Sequence, residues 1–230
     1  KRQGLSGTAL KLIACITMLI DHIGASCLEA GLLVPLIASG TFSTDPAAAS
    51  LLQMDRVLRY IGRLAFPIFC FLLVEGFLHT HDVKRYVERL FLFGLLSEVP
   101  FDMAFFRTPF HWGNQNVYWT LALGVLAMAG LKRFEKENGL PGWQGLVWAV
   151  GCAALALAAH TDYHAIGVLI ICTLYLTRAD RKRQCLVGAV LFLFELTAPL
   201  AFVLVWFYNG QRGACSPCIL YTSPSPRDTR

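Results

Sequence analysis

Long apolar stretches separated by short polar connections dominate the chain. A helix needs about 20 apolar residues to cross a bilayer, whereas strands of a membrane barrel give alternating segments of about 10 residues. The stretches here follow the first pattern, which predicts an all-α fold, a polytopic membrane helical bundle with about seven spans. The predicted spans are residues 10–28, 57–78, 86–106, 117–131, 146–159, 165–177 and 186–208.

One further apolar segment, residues 31–40, is shorter than a span and contains Pro35. We expect it to be interfacial or re-entrant. The first apolar stretch contains Asp21 and His22 and lacks a small-residue cleavage site, so we predict no signal peptide.

Lysine and arginine collect in alternate connections, at residues 1–11, 84–89, 132–136 and 178–183. Because cytoplasmic loops carry an excess of these residues, the N-terminus is predicted to be cytoplasmic. The expected location is the bacterial cytoplasmic (inner) membrane, with the chain crossing it several times.

Composition agrees with this picture and excludes an ordinary soluble domain. The chain has 230 residues, of which 56% are hydrophobic and 15% charged, whereas soluble domains carry about 25% charged residues. The net charge of +5 follows from the topology, so no nucleic-acid partner is expected. The same basic segments would suit the phosphates of an anionic cofactor.

Six of the eight cysteines lie inside or at the ends of predicted spans, without metal-ligand spacing to histidine. They are predicted to be packing residues, and no metal is expected. Cys215 and Cys218 form a CxxC pair in residues 214–230, which resemble a translated sequencing adapter. We therefore expect a single membrane domain over 1–213, truncated at its C-terminus, followed by a non-native tail.

Polar residues inside the predicted spans carry the candidate chemistry. Asp21 and His22 interrupt ITMLIDHIG, Arg63 lies near the start of the second span, and Glu98 and Asp102 lie near the end of the third. An ionisable group at mid-bilayer costs about 2.5 to 3.5 kcal/mol, so such groups normally face the bundle interior and pair with one another. The predicted threading places all five in one outer-leaflet layer. The same layer contains Gln115, Asn116, Asp162 and Tyr163.

Spacing suggests how these groups are arranged. Glu98 and Asp102 are four residues apart and share a helix face, with Pro100 between them to loosen the backbone. Arg63 is deep enough to need a carboxylate partner, so a structural salt bridge to Glu98 or Asp102 is one alternative to a catalytic role.

A second polar group is predicted on the cytoplasmic side, in VEGFLHTHDVKRY. Glu75 lies about a turn deeper in apolar surroundings than His79, and His81 fits a solvated helix end. Glu75 and His79 are therefore candidate binding residues.

Several sequence blocks together resemble the TraX family, named for the protein that acetylates conjugative F-type pilin. They are LKLIACITMLIDHIGA, RYIGRLAFPIFCFLLVEGFLHT, KRYVERLFLFGLLSEVPFD, NQNVYWTLALG, TDYHAIGVLII and FYNGQRG. They occur in order over roughly residues 5–213. Through that family the chain is similar to the broader transmembrane acyltransferases, in which a histidine late in the first helix is the usual catalytic candidate.

The resemblance implies an acetyltransferase that moves an acetyl group from cytoplasmic acetyl-CoA to an amine or hydroxyl acceptor, such as a pilin N-terminus, at the outer face. His22 matches that histidine of the broader acyltransferases and suits a general base, because the unperturbed pKa of histidine lies near neutrality. Asp21 would support it. Arg63, Gln115 or Asn116 would stabilise an oxyanion, and Glu98 and Asp102 would hold an acceptor ammonium.

Two other classes stay open on the residues alone. Intramembrane acids and histidines also form the proton relays of transporters. The polar layer would equally serve as structural pairing in a non-catalytic assembly subunit.

Overall fold

The structure, a computed structural model, describes residues 4–137 and 139–213. This part of the chain contains ten α-helices and no β-strand beyond isolated bridges, which confirms the all-α prediction. A π-helical segment, Gly24–Leu33, joins α1 to α2, and a 3-10 turn, Ala198–Leu200, precedes α10. The helices are α1 Gly7–Ile23, α2 Val34–Ala38, α3 Ala48–Gly62, α4 Ala65–Leu78, α5 Val83–Phe106, α6 Val117–Arg133, α7 Trp143–Ala158, α8 His164–Leu176, α9 Arg181–Leu191 and α10 Ala201–Trp206. The cysteine pair and the adapter-like tail predicted at 214–230 lie outside the described residues.

Two helical stretches in the described chain are both long and apolar enough to cross a membrane. They are Gly7–Ala38, with 32 residues, and Ala48–Leu78, with 31 residues. Each corresponds to a length of about 45 Å at the rise of an α-helix. α7 and α8 are also apolar but have 16 and 13 residues.

The prediction that residues 31–40 form a segment separate from the first helix is wrong. The π-helical segment carries the first helix onward without interruption as far as Ala38. Pro35 lies in the first turn of α2, where the missing N–H does little harm to the helix.

The second predicted span, residues 57–78, starts too late and overlooks a break. Helix α3 begins at Ala48, and a turn at residues 63–64 separates it from α4. Pro67 explains the break, because it has no N–H to donate to the carbonyl of Arg63 four residues earlier.

The seventh predicted span, residues 186–208, is also interrupted. α9 ends at Leu191, and residues 192–197 are irregular before the 3-10 turn and α10 resume. Pro199 lies four residues after Glu195, just as Pro67 lies four residues after Arg63. It likewise has no N–H to donate to the carbonyl of that earlier residue. The remaining predicted spans correspond to α5, α6, α7 and α8 with small shifts at their ends.

The core lies where α4, α6 and α8 meet. Phe71, Met128 and Ile171 are fully buried there, one from each helix. α6 approaches its neighbours closely through glycine: a Cβ at Gly130 would overlap the indole of Trp148 on α7. Small residues at helix crossings are typical of membrane bundles, where close van der Waals contact replaces hydrophobic association.

Two segments about 200 residues apart pair along their backbones beside the start of α1. The amide of Leu5 donates to the carbonyl of Phe207 at 2.8 Å, and the amide of Asn209 donates back to Leu5 at 2.9 Å. The amides of Gly7 and Thr8 donate to the carbonyls of residues 211 and 212, each at 2.8 Å. This pairing, which we term the terminal clamp, satisfies amides that would otherwise be unpaired at a helix N-terminus.

Candidate active site

Three irregular segments meet at one place in the bundle: the turn at residues 63–64, the loop at 160–164 and the break at 192–197. Arg63 Nη1 donates to Glu195 Oε1 at 2.6 Å, and the side chain of Tyr163 lies beside the same carboxylate. We term this meeting point of the three segments the recess.

The loop at 160–164 is held in an unfavourable backbone conformation. His160, Tyr163 and His164 have φ values of 51°, 58° and 45°, a region that non-glycine residues seldom occupy. Such conformations persist only where the surroundings impose them, and they cluster at functional sites.

Backbone and side-chain contacts from the start of α6 impose that conformation. The amide of Gln115 donates to His160 at 2.9 Å, and the amide of Asp162 donates back to Gln115 at 2.9 Å. The hydroxyl of Thr120 also donates to the carbonyl of Asp162. Gln115, a predicted binding residue, thus acts here through its backbone, and the loop presents Asp162 in a fixed position.

Asp162 lies in the recess. Its side chain is exposed at the surface, yet protein groups from several elements surround it. Burial by these surroundings raises its pKa to about 6; the hydrogen bond from the Tyr163 amide lowers it, and the nearby carboxylates of Asp21 and Glu195 raise it. Asp162 therefore changes charge close to neutral pH.

Asp21 is paired with an arginine, not with its neighbour. Arg59 Nη1 donates to Asp21 Oδ2 at 2.6 Å, and Arg59 Nε lies 3.9 Å from Glu29. A Cβ at Gly62 would overlap the Asp21 side chain, so glycine at this position lets α1 and α3 approach. Adjacent residues on a helix point in different directions, and the partner that Asp21 contacts is Arg59 and not His22.

His22 is oriented by its own helix. Its Nδ1 lies 2.9 Å from the carbonyl oxygen of Met18, and its ring meets Phe105 edge-on with centroids 5.6 Å apart. A carbonyl only accepts, so the hydrogen must be on Nδ1, which leaves Nε2 as the unprotonated nitrogen of the neutral ring. That tautomer leaves Nε2 free to act as a general base.

The predicted single polar layer divides into two groups. The recess cluster consists of Asp21, His22, Arg63, Asp162 and Tyr163, joined by Arg59 and Glu195. The second group, which we term the α5–α6 cluster, consists of Glu98, Asp102 and Asn116, joined by His111 and Trp119.

The predicted pairing of Arg63 with Glu98 or Asp102 is wrong, because Arg63 is engaged by Glu195. Glu98 Oε2 instead accepts from Asn116 Nδ2 at 2.6 Å and from Trp119 Nε1 at 2.7 Å. Asp102 Oδ2 accepts the amide N–H of His111 at 2.6 Å. Asn116 also caps α6, where its side chain accepts from the amide of Tyr118.

Two recess residues escaped the sequence argument, although the chain carried a signal for each. Arg56, Arg59 and Arg63 follow a helical spacing that places them on one face. A face that points the half-buried Arg63 into the protein points Arg59 the same way. Glu195 is the one acidic residue in the apolar run LFLFELTAPL, and a proline follows it four residues later. Both features mark this position within a predicted span.

The second predicted polar group stays separate from the recess. Glu75 Oε1 accepts from Arg181 Nη2 at 3.1 Å, and the Arg181 guanidinium lies 4.5 Å from the centroid of the Phe71 ring. His79 is exposed, and its Nδ1 donates to the carbonyl of Glu75 at 2.8 Å. Glu75 is about 18 Å along the helix direction from Arg63, so neither Glu75 nor His79 contributes to the recess.

Comparison with known proteins identifies the family of this chain. The sequence profile described as "TraX protein" matches residues 6–222. The chain belongs to the TraX family. With its two membrane-capable helices, this TraX-family chain is a membrane protein. It is also similar to the "Probable fimbrial assembly protein FimC, serogroup H1" of Dichelobacter nodosus, with 29% identity over 236 residues, 91% of this chain and 86% of the relative. No solved structure matches the chain.

Proposed function

We propose that this TraX-family chain is a multi-pass acetyltransferase of the bacterial inner membrane, with seven spans and a cytoplasmic N-terminus. It would move an acetyl group from cytoplasmic acetyl-CoA to an amine or hydroxyl acceptor at the outer face. One observation carries the proposal: His22, in the tautomer that leaves Nε2 available, lies at a polar recess where Arg63, Asp162 and Tyr163 converge.

The recess supplies the groups that acyl transfer needs. In the proposed step the acceptor nitrogen or oxygen attacks the thioester carbonyl while His22 Nε2 takes the acceptor's proton. The C–S bond then breaks, and the departing thiolate takes the proton that His22 Nε2 had accepted, which restores the neutral imidazole. Arg63, half-buried and fixed by Glu195, would stabilise the negative charge that develops on the carbonyl oxygen. Asp162, which contacts neither arginine within ion-pair distance, would orient the acceptor.

The acceptor is proposed from the relatives. The resemblance to the TraX family implies pilin acetylation, and the Dichelobacter nodosus relative is named a probable fimbrial assembly protein. A pilin N-terminus is thus the proposed acceptor. The relative's name also favours a second candidate function, a non-catalytic subunit of pilus assembly in which the same ion pairs are purely structural.

A radiolabel assay separates the two candidates. Purified protein in proteoliposomes would receive labelled acetyl-CoA on the side of the N-terminus and a pilin peptide on the other. His22→Ala should reduce transfer by about a hundredfold or more, as expected for loss of a general base. His81→Ala is the matched control, because His81 is an exposed histidine outside the recess with no assigned binding role, and it should retain activity.

Two results would reject the enzymatic proposal. Transfer by His22→Ala at the wild-type rate would remove the assigned base. The absence of any transfer by folded wild-type protein, together with failed pilus assembly in a deletion strain, would favour the assembly subunit.

A further inference from the structure

The α5–α6 cluster contains buried polar atoms that the protein leaves without partners. They are Glu98 Oε1, Asp102 Oδ1 and His111 Nδ1. Asp102 is 1% exposed, and its other oxygen is occupied by the His111 amide. An unsatisfied buried acceptor is costly, and it calls for a missing partner such as a ligand, water or ion.

The cluster also lacks a positive charge. None of the ion pairs found in the described chain includes Glu98 or Asp102, although these carboxyl groups are neighbours on one face of α5. The donors already present, from Asn116, Trp119 and the His111 backbone, are neutral. A cationic donor would satisfy both the open hydrogen-bonding positions and the charge.

The helix that carries the cluster also exposes an apolar face. α5 packs mainly against α6 and the π-helical segment, and its other face exposes apolar residues such as Leu95 and Leu96. The loop between α5 and α6 exposes Phe110 at 68% and Trp112 at 85%. Exposed aromatic residues at the end of a membrane helix are typical of the headgroup region.

We infer that Glu98, Asp102 and His111 form a binding site for a primary ammonium group at the end of α5. Each open carboxylate oxygen would accept one N–H, and His111 Nδ1 would accept a third when it is unprotonated. A trimethylated ammonium has no N–H and cannot make these bonds. The group could come from a phosphatidylethanolamine headgroup or from a soluble amine, and this assignment does not depend on acetyl transfer.

Thermal unfolding of the purified full chain in detergent tests the site. The additives are phosphatidylethanolamine, phosphatidylcholine with the same acyl chains, and ethanolamine. A ligand at about one hundred times its Kd should raise the melting temperature by about 5 °C or more, because it binds only the folded state. We expect this rise with phosphatidylethanolamine and not with phosphatidylcholine.

Two isosteric substitutions localise the effect. The double variant Glu98→Gln and Asp102→Asn keeps oxygens that accept the existing hydrogen bonds, so it should fold, and it should lose the response to the primary amine. Glu88→Gln is the matched control: Glu88 lies on the same helix, is exposed, and pairs only with Lys84 at 3.8 Å. It should respond like the wild type.

Each outcome is informative. A rise with ethanolamine alone would support the ammonium site and identify a soluble amine as its source. Equal rises with phosphatidylethanolamine and phosphatidylcholine would overturn the inference, and so would a response that survives in the double variant. Native mass spectrometry of retained lipid provides a second readout should the double variant unfold too early.

Discussion

The ion pair between Arg63 and Glu195 joins two breaks in helical chain, and its removal from one side has a calculable cost. Arg63→Met leaves Glu195 uncompensated, with its side chain 7% exposed and Oε2 already without a partner. Two unit charges about 4 Å apart attract by about 4 kcal/mol at an effective dielectric of 20. Desolvation offsets part of this energy, but loss of one partner of a buried pair still costs about 3 to 5 kcal/mol.

Glu195→Gln should be milder. Arg63 is 35% exposed, so its guanidinium can still reach water, and the glutamine oxygen still accepts a neutral hydrogen bond. We expect a loss of about 1 to 2 kcal/mol, close to the value of one charge-assisted hydrogen bond. The double variant, which combines Arg63→Met with Glu195→Gln, leaves neither charge of the pair in place. Its loss in the free energy of unfolding should therefore be about 2 kcal/mol smaller than the sum of the two single losses.

Thermal unfolding of the four proteins in one detergent measures this cycle. A loss of 1 kcal/mol lowers the melting temperature of a chain of this size by about 2 to 4 °C, so the loss of about 3 to 5 kcal/mol should make Arg63→Met alone melt about 6 to 20 °C below wild type. Additive single losses, within about 0.5 kcal/mol, would show that the two residues do not interact energetically and would refute the reasoning.

Two further predictions concern charge and packing. Asp162 has a pKa raised to about 6 in the folded protein against 3.8 for the free side chain; its neutral form stabilises the fold below about pH 4, and this contribution is lost as the pH rises through 6. The pKa difference corresponds to about 3 kcal/mol of folding free energy, which falls to about 1 kcal/mol after screening of the exposed carboxylate. Raising the pH from 4 to 7 should therefore destabilise wild type more than Asp162→Asn. Equal pH profiles of the two proteins would contradict this. Gly188→Ala should cost about 1 to 3 kcal/mol because its Cβ would overlap Phe202, whereas Gly151→Ala, which meets nothing within 4 Å, should gain about 0.5 to 1 kcal/mol in the same melting assay; a neutral Gly188→Ala would contradict the packing.

The helices were largely predictable because their signal is local. Apolar length and periodicity placed α5, α6, α7 and α8 within a few residues of their observed ends. The errors fall at prolines whose effect depends on context. Pro67 and Pro199 each follow a break at the residue four positions earlier, whereas Pro35 and Pro100 lie inside or at the start of helices that continue past them.

The candidate site was only half predictable because its pairing is long-range. Hydropathy showed that Asp21 and Arg63 must be shielded, and both lie in the recess. It could not show which carboxylate meets which arginine, since Arg63 and Glu195 are 132 residues apart in the chain. Depth in the membrane placed Glu98 in the same layer as His22, but depth says nothing about lateral position, and α5 directs Glu98 toward Asn116 instead.

The terminal clamp has a consequence for the order of events during biosynthesis. Helix α1 is synthesised before the other described helices, but the backbone partners of Leu5, Gly7 and Thr8 follow about 200 residues later. Closing so long a loop has an entropic cost that local contacts do not offset. The clamp is therefore a late step in folding. Until then α1, with His22 near its far end, is held by its packing against α3 and α4 and not yet by the clamp. The recess therefore acquires its final geometry only after the last described segment has been synthesised, which delays a complete binding site until the bundle is assembled.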